Sequence, residues 1–540
     1  MSSSPSNLIF PIATYVLHGV AISGNQAISL DVYRGYVVEI DLFTEATKIL
    51  NSRSAASWRE LLQDNWQDNL HDLAVTEHTL WLTLANRVYC TDLTDFELQL
   101  FAELPEPVQG IAVSEGGVYL ASRQAGKIFM LGRSTRTLQR VLPIPGHGWT
   151  ALTLHDHYLW ACDRQEETIY CLDPRTGEIW WRALTPFRSP VGLDFWGDLL
   201  YVLYTQEERY IAENPNQENP YSIERRDRSL LHQLRWQTKG ARPRYTLSNG
   251  YLVEMVYVEE TYGTEPIAVK NLNWRIALPS HSDRQVVRSV EAVGLPFREE
   301  EQAGQRVAVF NLGDLRADEA HYFGWRALLE LRGIKYELTP AEVADVPPLA
   351  PEMRAQYLVD DDDLAMDRPV VVAAAREAGG GETNILKKII NIRNYVYDKL
   401  EYRMRPYISP PDEALQRGTA SCGEYVGVLL ALLRLNGIAC RTVGRYKCPP
   451  YPDQQGVILH QYYNHVWVEF YIPTIGWLPM ESNPDDTGQP PYPTRWFMGL
   501  PWFHVEIGKG ITFETIKPQP YSIGELALNH VRFRILAELP

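Results

Sequence analysis

Residues 419–444, TASCGEYVGVLLALLRLNGIACRTVG, are the stretch on which the reading of the C-terminal part of the chain turns. Gly418 and Ser421 supply a loop and a capping residue, Val426, Leu429, Leu430 and Leu433 recur at helical spacing, and Asn436-Gly437 is a stop signal. An amphipathic helix is expected, with Cys422 in its first turn. There, free backbone N–H groups and the positive end of the helix dipole favour a thiolate. The same N–H groups can hold an oxyanion. Taken alone, Cys422 reads equally well as a small buried hydrophobe.

Two later segments bear on that choice. In NHVWVEFYIP, the alternation of a strand puts Val466, Val468, Phe470 and Ile472 on one face and His465, Trp467, Glu469 and Tyr471 on the other. An all-aliphatic face belongs to a core, which leaves His465 on the face with polar and aromatic company. His460, in ILHQYYN, lacks that setting. In GWLPMESNPDD, Glu481 follows a turn at the edge of what would be the neighbouring strand, where a carboxylate can orient an imidazole. Asn483, Asp485 and Asp486 compete for the same role. A thiol at a helix start, a strand histidine and an acid after the next turn are the parts of a cysteine-based acyl-transfer site.

Composition limits what else the chain can be. At 540 residues it is too long for one core, and a few domains are expected. Its net charge of −16 argues against binding nucleic acid or anionic lipid through bulk electrostatics. Six scattered cysteines without a CxxC pair suggest neither a disulfide framework nor a zinc site, and a cytoplasmic setting is expected. The start, MSSSPSNLIFPIATYVLHGVAIS, lacks the basic segment and cleavage site of a signal peptide, is too short and polar to span a membrane, and is read as a strand.

The first part of the chain is repetitive. GVAISGNQAISL, DLAVTEHTLWL, GIAVSEGGVYL, ALTLHDHYLWA and GLDFWGDLLYV superpose with Val20, Leu73, Ile111, Leu152 and Leu193 in register, at intervals of 53, 38, 41 and 41 residues. Four short strands in about 40 residues are the signature of a β-propeller blade, so residues 1–236 are expected to form a propeller-like domain with five visible blades. An insertion, SAASWRELLQDNWQDN, accounts for the long first interval and reads as a short surface helix; NPNQENP interrupts the fifth copy. Trp81, Trp160 and Trp196 are read as blade packing rather than a ligand platform. The repeats share no ligand set for a quinone cofactor.

Longer alternating strands follow, YLVEMVYVEE, IAVKNLNWRIALP, RVAVFNLGDL and FGWRALLELRGIKYEL, and residues 240–345 are expected to form an antiparallel β-sandwich. The run Asp360 to Asp363 reads as a solvated linker rather than a metal site. Ile385, Ile389, Ile392 and Val396 mark the buried face of a helix opening a third domain, 350–540, with a C-terminal extension.

The order G-x-x-x-C, LLRLNGIACRTVGRY, NHVWVEFYIPTIGW and an acid five residues after Gly476 resembles the transglutaminase-like domain of the papain-like cysteine peptidase superfamily, from roughly Tyr357 to Phe503. A sandwich ending in YLVDDDD before a helix closing with LEYR is similar to its bacterial and cyanobacterial members. The resemblance implies an α+β domain with the cysteine on a central helix packed on an antiparallel sheet. It also implies thioester chemistry, in which Cys422 attacks a carboxamide or peptide carbonyl, His465 protonates the leaving amine and Glu481, where the family usually has Asp, orients His465. Tyr402 is a candidate oxyanion side chain. The expected function is a cytoplasmic cysteine peptidase, amidase or acyltransferase, hydrolytic rather than crosslinking, with a protein or peptide substrate, a protein partner at the propeller, and no metal or cofactor. The alternative is a catalytically weak or inactive scaffold for protein–protein interaction.

Overall fold

The structure is a computed structural model describing residues 4–63, 72–147, 150–238, 244–261, 269–316, 319–361, 363–461, 464–517 and 522–540. It is mostly β and divides into two compact units, Met1–Thr246 and Leu247–Pro540. No helix among the described residues is long and apolar enough to cross a membrane.

Among the described residues, the first unit contains five four-stranded antiparallel sheets. They begin at Leu17–Ser23, Leu73–Thr76, Gly110–Val113, Thr150–His155 and Pro190–Trp196, the five registered repeats. The first four are meanders in chain order; the fifth takes the N-terminal strand Leu8–Ile9 as its outer member, pairing Leu8 with His232. Alternating apolar residues fill a core between each consecutive pair of sheets, and Val20, Val38, Val191 and Leu231 form one between the first and the fifth. Gly192 is required by this packing, because a Cβ there would lie 2.9 Å from the Val20 nitrogen. NPNQENP caps a hairpin of Leu199–Glu213 and Tyr221–Leu234 rather than breaking the fifth sheet. The insertion forms a helix, Ala55–Gln63, and its remainder lies outside the described residues. This helix is not confined to the surface, since Trp58 is buried edge-on against Phe96. Trp81 packs on Phe101, and Trp160 on Trp181 and Phe195.

In the second unit, two antiparallel sheets contain the strands Tyr245–Thr261, Val269–Ala277, Gln305–Leu315 and Tyr322–Tyr336. Phe323 packs against Trp274 and Phe310 of the opposite sheet. Both sheets recruit later strands: Ala527–Glu538 pairs along Tyr245–Thr261, and Glu514–Lys517 along Val269–Ala277. The stretch 240–345 therefore does not complete the sandwich by itself.

Between these contributions, a four-stranded sheet runs in the order Gly476–Met480, His465–Ile472, Cys440–Lys447, His504–Ile507. Helices Pro369–Gly379, Ile385–Lys399, Pro411–Arg417 and Cys422–Leu435 share a core with its aliphatic face, including Val468, Phe470, Ile472, Leu478 and Met480. The helix Cys422–Leu435 is buried far more widely than an amphipathic stripe requires, with Val426 and every residue from Val428 to Arg434 inside. It is the centre of the domain rather than a helix on its surface. The acidic run is also more than a solvated linker: Asp360 accepts the backbone N–H of Leu364 and Met366, and Asp361 pairs with Arg434, a largely buried guanidinium that needs a counter-charge. Asp362 lies outside the described residues.

Candidate active site

The start of the thiol-bearing helix is fixed by Glu424. Its carboxylate accepts the Ser421 N–H at 2.7 Å, the Ser409 N–H at 3.1 Å and the Arg417 guanidinium at 2.6 Å. This capping arrangement anchors the preceding loop and holds Cys422 in the first turn. The helix ends at Asn436, and Gly437, at φ +75°, makes the exit turn.

The thiol lies at hydrogen-bonding range of His465, and the Gly423 amide also reaches it. His465 opens its strand, 4% exposed, with Trp467 stacked beside it. The ring's Nε2 is 2.9 and 2.8 Å from the two oxygens of Glu481, which is 1% exposed. With Nε2 engaged by the carboxylate, Nδ1 is the nitrogen left for the thiol. The register explains the meeting. Met480 pairs with Val468, so the chain leaving this strand at Glu481 runs toward the end of the strand where His465 sits.

Electrostatics follows from this contact chain. Burial pushes the Cys422 thiol up, but the hydrogen bond and charge of His465 outweigh it, and the thiol ends below its ordinary value. Burial pushes His465 down, whereas the charge of Glu481 and the bonds to Cys422 and Glu481 raise it above its ordinary value. Glu481 is held well below the carboxylate range, against its burial, by His465 and by the hydrogen bonds it accepts. The two shifts bring thiol and imidazole toward each other and favour a thiolate–imidazolium pair. The other five cysteines, Cys90, Cys162, Cys171, Cys440 and Cys448, are all pushed upward by burial, so Cys422 is the one thiol of the chain set apart for reactivity.

The competing residues are placed elsewhere. Asp485 accepts the Arg495 guanidinium at 2.8 Å and the Trp496 N–H, and Asp486 accepts the Tyr425 hydroxyl at 2.7 Å. Asn483 receives the Ser482 hydroxyl. His460 is exposed on a strand paired with Ala527–Glu538. Tyr402 pairs in register with Ala420, close in sequence to the nucleophile, and is 45% exposed.

One residue was not anticipated from sequence. His504 is fully buried on the edge strand, and its Nε2 hydrogen-bonds Oε1 of Glu481, an oxygen that His465 also meets. The pairs Arg445 with His465 and Lys447 with His504 set the second imidazole just beyond the start of the first strand. Its signal in the sequence is HVEI, a short repeat of the polar alternation in HVWVEF. Among the described residues, His465, Glu481 and His504 also bring three candidate metal-ligand atoms within 4.8 Å, as do His155, Asp156 and Asp198 on the first unit. In the first group both Nε2 atoms lie at hydrogen-bonding distance of the Glu481 carboxylate.

Residues 372–482 match the Transglutaminase-like superfamily, which places a transglutaminase-like domain in that stretch. No curated protein matches the chain. Among solved structures, a candidate cysteine protease from Cytophaga hutchinsonii is 14% identical over 54% of this chain and 93% of its own, with a TM-score of 0.38. Regucalcin from Agrobacterium tumefaciens, a calcium-binding protein, is 10% identical over 42% and 94%, with a TM-score of 0.26. Likenesses with TM-scores under 0.5 fix neither fold nor chemistry.

Proposed function

We propose that the chain is a cysteine-dependent acyl-transfer enzyme acting on peptide bonds or glutamine carboxamides through a thioester. The observation that carries this reading is the placement of Cys422 at a helix start beside His465, which is itself seated on Glu481. The thiolate attacks the carbonyl carbon, and N–H groups of the first helical turn receive the developing oxyanion. His465 gives its proton to the departing amine or ammonia. An acceptor then attacks the thioester with His465 as base, returning the thiol. Water is the default acceptor, so hydrolysis is proposed over amine transfer.

Replacement of Cys422 by Ala is expected to abolish turnover of a peptide- or glutamine-based probe while the protein stays folded. Unchanged turnover would end the proposal. Adding a primary amine separates the acceptors: release of free acid that persists in its presence supports hydrolysis, and conversion to the amide would reverse the assignment.

The five sheets of the first unit are read as a propeller, supported by cores between consecutive sheets and between the fifth and the first. Its proposed role is to recruit a protein partner. Capture of the full chain from lysate with a thiol-reactive amide probe, followed by identification of what co-purifies, tests this role. The six unpaired cysteines accord with a proposed cytoplasmic setting.

A further inference from the structure

We infer that His504 is a positioning residue of the candidate site, a buried imidazole whose Nε2 holds Oε1 of Glu481 and so fixes the carboxylate that orients His465. The inference rests on Cys422, His465 and Glu481 acting together as proposed. His504 itself lies beyond the stretch 372–482 that matches the superfamily.

A glutamate has three rotatable side-chain bonds, and ordering one inside a protein costs on the order of 1.5–2 kcal/mol. A single contact to His465 would leave the carboxylate free to swing. Here each oxygen has its own second anchor: Oε1 accepts from His504, and Oε2 accepts the backbone N–H of Ser482 at 3.0 Å. The carboxylate plane is therefore held by contacts other than His465, and His465 Nε2 meets both oxygens. Such partners one contact removed from the reacting atoms set tautomer and orientation.

The protonation state of His504 suits the task. It is enclosed by Trp467, Trp496 and Phe503, with ring centroids 4.9, 6.3 and 4.9 Å away. The charged groups that face it are Glu481, which favours the imidazolium, and His465 and Lys447, which oppose it. Burial is the largest influence and pushes it down to about 3, so the ring stays neutral. A neutral imidazole has one N–H, and that proton goes to Glu481; Nδ1, buried, has no hydrogen-bond partner among the described residues. A neutral donor holds the carboxylate in place without cancelling its charge, which remains available to His465.

The test compares the full-length wild type with His504→Gln, whose amide keeps a neutral N–H donor at similar reach, and His504→Phe, which keeps a ring without one. The readouts are the pH profile of Cys422 alkylation by iodoacetamide, and kcat and KM on the peptide or glutamine probe. In H504F, kcat is expected to fall about 10–100-fold with KM little changed, and the acid limb of alkylation to move to higher pH. H504Q is expected to recover most of both. Equal losses in the two variants, or an unchanged alkylation profile in folded H504F, would overturn the inference. A wild-type Cys422 no more reactive toward acid than a free thiol would overturn it together with the proposed function. Should H504F fail to fold, the His504 ring resonances of the wild type decide: no titration between about pH 5 and 8 supports a neutral donor, and titration in that window refutes it.

Discussion

Replacing Glu481 by Gln removes one charge from the centre of the site while keeping the shape of the side chain. The carboxylate is 1% exposed and its oxygens lie 2.9 and 2.8 Å from His465 Nε2, so the lost interaction is a buried, charge-assisted hydrogen bond. Such a bond is worth roughly 1.5–3 kcal/mol. The charge of Glu481 is the largest influence that raises His465; without it, burial prevails and the ring becomes neutral at lower pH. Cys422 then loses the cationic partner that offsets its own burial. Repulsion between carboxylate and thiolate acts in the other direction, but it ranks below both contributions of His465. The thiolate–imidazolium population is therefore expected to fall about 10–100-fold, at a tenfold change per 1.4 kcal/mol. The assay is iodoacetamide alkylation followed across pH, with the modified cysteine located by mass spectrometry. The other five thiols are raised by burial and should react slowly in the native protein. In E481Q the acid limb should move to higher pH and activity should fall in step. An unchanged profile in a folded variant would refute the coupling of Glu481 to the thiol through His465.

Four further outcomes follow from buried polar groups. Glu424→Ala strands the Ser421 and Ser409 amides and the Arg417 guanidinium, and should cost about 2–4 kcal/mol in urea unfolding. Asp72, buried in the first unit, accepts the N–H groups of Ile111 and Leu152 at 2.9 Å each, so Asp72→Ala should destabilise by about 2–6 kcal/mol. Burial pushes Asp72 up to about 8, so Asp72→Asn, a neutral isostere, should be nearly silent in thermal unfolding near neutral pH. Glu259 and Glu514 are both raised, by burial first and for Glu259 also by the charge of Glu514, with the Tyr257 hydroxyl bonding both. The folded state therefore binds protons that the unfolded state has released. Their stabilisation is fully present below the ordinary glutamate range and is lost as pH rises through the folded values. The urea midpoint of the wild type should accordingly fall relative to that of Glu259→Gln as pH rises, and a constant difference would contradict the raised pair.

Much of the local structure was legible because its periodicity is a property of neighbouring residues. The five repeats between Val20 and Leu193 mark five four-stranded sheets, and the alternation of HVWVEFYI assigned Val468, Phe470 and Ile472 to the core. Contacts made by residues far apart in the chain were less legible. The burial of Trp58 is hidden from the sequence, because its partner Phe96 lies 38 positions away and carries no periodic relation to it. The ion pair of Asp361 with Arg434 was hidden for the same reason, since an acidic run looks solvated until a buried cation is placed beside it.

By itself, the sequence determined that Cys422 begins a helix and that His465 lies on the polar face of a strand, since both depend on capping and side-chain direction within a few residues. Tertiary structure alone decided which of Glu481, Asn483, Asp485 and Asp486 meets His465. Pairing of Met480 with Val468 directs Glu481 to the imidazole, while Arg495 and Tyr425 occupy the two aspartates. It also decided that a second imidazole, His504, hydrogen-bonds that carboxylate. Strand order brings together residues 23 positions apart, a distance over which no residue pattern specifies contact.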